Sequence, residues 1–139
     1  EAGPGFQLSL VSRGLAAGDY ENDGDLDLLI SNLDAPPTLL RNDGAGGSWL
    51  VVAVEGPSGG PAPPGTRAQV RANGRTWLRD VATSDSYMSS HDPRVHVGLG
   101  TAEKVDEVVV TWPDGRRVVL EDVTTRQTLF VPVPAPAVK

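Results

Sequence analysis

The 139-residue chain contains no cysteine. That excludes disulfides, thiolate metal sites and a cysteine nucleophile, but it does not fix the compartment, because secreted proteins need not carry disulfides. No stretch approaches the roughly 18 consecutive apolar residues of a membrane-spanning helix. The start, EAGPGFQLSL, has neither a basic region nor a long apolar run, so a signal peptide is expected to have been removed or to lie outside the sequence. Basic residues form no cluster of the kind that lines a nucleic-acid groove or binds an anionic membrane, so neither nucleic-acid binding nor membrane insertion is expected. A helical period sustained over three turns is also missing.

What remains is short runs rich in Val, Leu and Thr, punctuated by 16 Gly and 12 Pro. The pattern predicts an all-β protein. Strands are expected near residues 15–18, 26–31, 38–41, 49–55, 68–72, 75–81, 95–97, 107–112, 117–121 and 128–131. Two hairpins are well signalled. Asn73-Gly74 supplies the two positive φ angles of a type I′ turn, which places Ala72 opposite Arg75 and Val70 opposite Trp77. Pro113-Asp114-Gly115 turns the chain between Val108 and Leu120. In the first register Arg67 faces Asp80 as a cross-strand ion pair. Arg75 and Arg79 share a face that Arg71 does not, which argues against a continuous anion site. Trp49, Trp77 and Trp112 fall in expected strands, where core filling is their default role. GPSGGPAPPG, residues 56–65, has four Pro in ten residues and reads as a linker or long exposed loop. The closing residues 133–139 read as a tail.

Charge is concentrated rather than spread. Asp19, Glu21, Asp23, Asp25 and Asp27 crowd five carboxylates into nine residues; removing them from the 18 acids leaves 13 against 12 bases. Calcium takes six to eight oxygens, and a short loop supplies them when alternate side chains point inward. Here Asp19, Glu21 and Asp23 stand at positions 1, 3 and 5, Gly24 at the sixth permits a sharp turn, the Asp25 carbonyl is at the seventh and Asp27 closes the loop at the ninth. A bound Ca²⁺ accounts for so many like charges held together; the alternative is a solvated acidic turn. Magnesium, which keeps more of its waters, fits less well. Leu26 is expected to point into the core and anchor the loop.

These residues also carry a resemblance. GLAAGDYENDGDLDLLISN followed by LLRNDG resembles the FG-GAP or VCBS repeat, whose calcium-binding hairpin loops occur in β-propellers. Glu21 stands where that pattern has Asp or Asn, which implies binding through a water or a weaker site. GTRAQVRANGRTWLRDV, SYMSSHDPRVHVGLG and VDEVVVTWPDGRRVVLEDV resemble the ASPIC/UnbV domain, with the signatures D-P-R-x-H-x-G-L-G at residues 92–100 and W-P-x-G at 112–115. Together the two resemblances cover residues 12–132. They imply a repeat-like region over residues 1–48 and a β-sandwich or barrel over residues 49–132. They also imply an extracellular or periplasmic location, as the C-terminal part of a larger secreted protein. A single propeller repeat cannot bury both faces of its sheet; preceding repeats, or direct packing on the second domain, are therefore expected.

A second polar constellation lies at residues 84–96. Ser84, Asp85, Ser86, Tyr87, Ser89, Ser90, His91, Asp92, Arg94 and His96 invite a catalytic triad or a transition-metal site. Sequence adjacency supplies neither an oriented base nor an oxyanion pocket, and the histidine spacing is not a zinc pattern. Tyr87, His91, Asp92, Arg94 and His96 are instead expected to form an interaction loop for a protein or glycan partner. The expected function is a calcium-dependent binding module. The alternatives are part of a calcium-dependent enzyme using the 84–96 loop and a structural cap of a propeller.

Overall fold

A computed structural model describes residues 3–44, 46–81 and 87–135. The chain forms two compact units, one from Glu1–Gly44 with Thr83–Asp92 and one from Ala45–Ala82 with Pro93–Lys139. Among the described residues almost everything regular is strand, with ten strands where the sequence pattern places them, and helix is limited to two short 3-10 turns at Pro4–Gln7 and Pro57–Gly59.

In the first unit, β1 (Ser12–Gly18), β2 (Asp27–Asn32) and β3 (Thr38–Leu40) form an antiparallel meander in the order β1-β2-β3. Ala17 faces Leu28 and Gly18 faces Asp27, so the acidic residues occupy the connection between the first two strands and end as β2 begins. The expectation for Leu26 is corrected: its side chain is 43% exposed. Ala16, Leu29 and Leu39 share one face of the meander, and both leucines are 48% exposed. Among the described residues of this unit, the three strands are its one sheet.

The second unit contains the buried core. β4 (Ser48–Val54) lies between β10 (Gln127–Val131) and β7 (Val95–Gly100), and β5 (Arg67–Ala72) and β8 (Lys104–Thr111) lie between β6 (Arg75–Asp80) and β9 (Arg117–Thr124). Leu50, Val52, Val95, Val97 and Val131 of the first sheet share one apolar cluster with Ala68, Val70, Val105, Val108 and Val110 of the second. Two half-apolar sheets satisfy one another in this way because alternate residues of each strand point inward. Trp112 is buried in this core and donates its indole N–H to the Glu55 carbonyl at 3.1 Å. Antiparallel pairing predominates, but β10 runs parallel to β4. The chain leaves β9 in one sheet and crosses to the other, where the Arg126 amide donates to the Trp49 carbonyl at 2.7 Å and starts the strand.

Both hairpins have the expected registers. Ala72 faces Arg75 and Val70 faces Trp77, with φ of 47° at Asn73 and 70° at Gly74. Val108 faces Leu120. Arg67 Nε donates to Asp80 Oδ1 at 2.9 Å. Of the two readings of residues 56–65, the loop holds: Glu55 bridges to Pro61, and the Gly56 amide donates to the Gly60 carbonyl at 2.8 Å. The expected tail is corrected: the chain stays on the unit beyond Val131, since Val133 packs on the core and the Pro134 carbonyl accepts from Arg116 at 2.9 Å.

Candidate metal centre

The acidic connection is organised by its own carboxylates. Asp19 Oδ1 accepts from the Asp23 amide at 3.1 Å and Oδ2 from the Gly24 amide at 2.9 Å. Asp23 Oδ1 accepts from the Asp25 amide at 3.0 Å. Asn22 and Gly24 take positive φ, 59° and 97°, which coils the chain around the first aspartate; asparagine and glycine are the residues that enter this region at least cost. Asp27 closes the loop from the other end, with Oδ2 accepting from the Tyr20 amide at 2.9 Å and Oδ1 from the Asn42 amide at 2.8 Å.

Asp19 is 5% and Asp27 3% exposed. Burying a carboxylate is costly unless it is hydrogen-bonded or paired, and the backbone amides supply partial positive charge to both. Glu21 turns instead to Arg41, at 3.2 Å, and the same guanidinium meets Asp43 at 2.6 Å. Asp43 first and Glu21 second hold the Arg41 guanidinium above its ordinary pKa. Asp25 lies against Gly44, where a Cβ would overlap its carboxylate.

Among the described residues, no three His, Cys, Asp or Glu side chains stand already gathered as a coordination group. The donor set nevertheless fits calcium. It is all oxygen, it is carboxylate-rich, and each carboxylate oxygen that accepts one amide hydrogen keeps a second lone pair. Were calcium to bind, Asp19, Asp23 and Asp27 would be the side chains to hold it, with Glu21 joining if it exchanges Arg41 for the metal. Asp25 would contribute its main-chain carbonyl. Arg41, Asn42 and Gly44 were given no role by sequence reasoning. Their signal was the LLRNDG run itself, whose polar end folds back over the loop.

The second constellation is divided. Tyr87, His91 and Asp92 belong to the first unit, whereas Arg94 and His96 belong to the second, with His96 on β7 opposite Val51. Ser84, Asp85 and Ser86 lie outside the described residues. The Tyr87–Asp92 segment follows the outer edge of β1. The Ala17 amide donates to His91 Nδ1 at 2.9 Å, the Asp92 amide donates to the Ala17 carbonyl at 3.0 Å, and Ser89 Oγ donates to the Leu15 carbonyl at 2.8 Å. Tyr87 and Met88 at its start are exposed. A cleft of about 350 Å³ opens beside it, lined by Leu29 and Leu39 together with Asp19, Asp27, His91 and Asp92.

The family described as ASPIC and UnbV matches residues 56–136, which is most of the second unit. Cartilage acidic protein 1 of Mus musculus and of Homo sapiens are each 32% identical to the chain over 124 residues, covering 85% of this chain and 19% of the relative. The Xenopus tropicalis protein of the same name is 29% identical over 122 residues. The chain thus spans about a fifth of the length of these relatives. The similarity extends beyond the matched domain, and on both counts the chain belongs to the ASPIC and UnbV family.

Proposed function

We propose that the chain is a calcium-binding extracellular interaction module, in which an FG-GAP/VCBS-like hairpin carries the ion and the ASPIC/UnbV unit provides the rigid β scaffold. The observation that carries this reading is the pair of buried carboxylates at the two ends of one loop. Asp19 and Asp27 each hold two backbone amides, and this fixing of both ends of the acidic loop supports the reading. Three more acids stand between them, and repulsion among five carboxylates would be relieved by a divalent ion.

Two further observations support the wider reading. The leucine face of the meander is the surface an adjoining propeller repeat would cover, and the relatives are several times longer than this chain. The relatives are also named for cartilage, which favours an extracellular setting over a periplasmic one. The partner would be a protein or a glycan.

The test is calorimetry on chelator-stripped protein together with thermal melting. Calcium should bind at micromolar to millimolar concentration and raise the melting temperature, since a ligand that binds only the folded state stabilises it. Absence of both heat and stabilisation at millimolar calcium would end the proposal.

A further inference from the structure

The edge of β1 opposite β2 is met by the Tyr87–Asp92 segment, through the His91 and Ser89 side chains and the Asp92 backbone amide. Ala17 directs its amide and its carbonyl outward, and the Tyr87–Asp92 segment answers both, the amide with the His91 imidazole and the carbonyl with the Asp92 amide. His91 Nδ1 therefore stands where a neighbouring strand would place a carbonyl oxygen. Its role as acceptor puts the proton of the neutral ring on Nε2. Gly18 is pressed against the same segment, since a Cβ there would sit 3.3 Å from the Asp92 Cβ. The next residue is Asp19, whose carboxylate organises the loop.

We propose that His91 is a positioning residue for the calcium loop, and that ion binding and docking of the Tyr87–Asp92 segment strengthen each other. The inference rests on the calcium reading above. The clasp on Ala17 sets where the backbone enters the loop, and a rigid entry lowers the ordering cost the ion must meet. By linkage the effect is reciprocal: whatever factor docking adds to calcium affinity, calcium adds to docking.

Two measurements test this. In the unaltered protein, exchange of the Asp92 amide is followed by NMR with and without calcium. Calcium affinity is then compared by calorimetry for the unaltered protein, His91→Ala and His91→Asn. Asparagine places its amide oxygen near the position of Nδ1 and can accept from Ala17. Calcium should slow Asp92 exchange by about fivefold or more, the alanine variant should lose calcium affinity by a similar factor, and asparagine should restore most of it. A purely structural role for His91 would lower stability in the alanine variant and leave affinity unchanged. Equal affinities in all three proteins, or Asp92 exchange indifferent to calcium in the unaltered protein, would overturn the coupling while the calcium reading stood. If the unaltered protein binds no calcium, both fall together. Should His91→Ala fail to fold, the exchange measurement decides alone.

Discussion

The Asn42 amide donates to Asp27 Oδ1 at 2.8 Å, joining the segment after β3 to the last acid of the loop across 15 residues of sequence. The other oxygen of the same carboxylate holds the Tyr20 amide. Asp27 is therefore both a structural acceptor and a proposed ligand, and substitutions can separate the two roles.

Asp27→Ala leaves two amides without their acceptor and should destabilise the metal-free protein by about 1–3 kcal/mol in urea unfolding. Asp27→Asn keeps one carbonyl oxygen and should cost less in the metal-free state, yet it should abolish the rise in melting temperature on adding calcium. Identical calcium stabilisation in Asp27→Asn and the unaltered protein would remove Asp27 from the site.

At the first hairpin of the second unit, Gly74 has φ of 70°. An alanine there would be forced into the left-handed region at a cost of about 1–2 kcal/mol. Gly74→Ala should lower the denaturant midpoint without changing calcium binding, since the turn belongs to the other unit. Unchanged stability would mean that the turn relaxes to another type.

Trp112→Phe should cost about 1–3 kcal/mol, because it strands the Glu55 carbonyl that the indole N–H now satisfies and leaves unfilled volume among valines. Trp112→Ala should cost more, about 3–5 kcal/mol. Denaturant unfolding of both variants checks the order.

Asp114 provides a pH prediction. Arg116 donates its Nε to Asp114 Oδ2 at 2.7 Å and its amide to Oδ1 at 3.0 Å. The side-chain bond first and the backbone bond second hold the Asp114 carboxyl below its ordinary value. A carboxylate whose pKa is depressed on folding contributes stability above its unfolded value, about 3.9, and loses it as pH falls through the lower folded value. An NMR titration should find the Asp114 midpoint below the ordinary aspartate range, and Arg116→Ala should return it upward. The group is at the surface, so the midpoint itself is the readout.

Much of the second unit was legible because its signals are local. Asn73-Gly74 demands its turn wherever it sits, and the alternation of Arg67, Gln69 and Arg71 with Ala68, Val70 and Ala72 sets which face is buried, so the Arg67–Asp80 pair follows from counting. The acidic loop was legible in the same way, through Gly24 at its sixth position. Leu26 was misread because an apolar residue between ligands looks like an anchor, and no local pattern shows whether a second layer exists to receive it. The parallel β10–β4 pair was invisible for a related reason: a crossing between sheets leaves no mark on the strand that makes it.

The order of residues by itself determined the all-β class, the strand positions, both hairpin registers and the spacing of the five acids, since each depends on backbone preferences and alternation within a few residues. Only the tertiary structure decided that Asp27 is held by Asn42, that Glu21 turns to Arg41, and that His91 and Asp92 close the edge of β1 while His96 belongs to another sheet. Those partners are far apart in the chain, and the unmet backbone groups that bring them together exist only once the strands have formed.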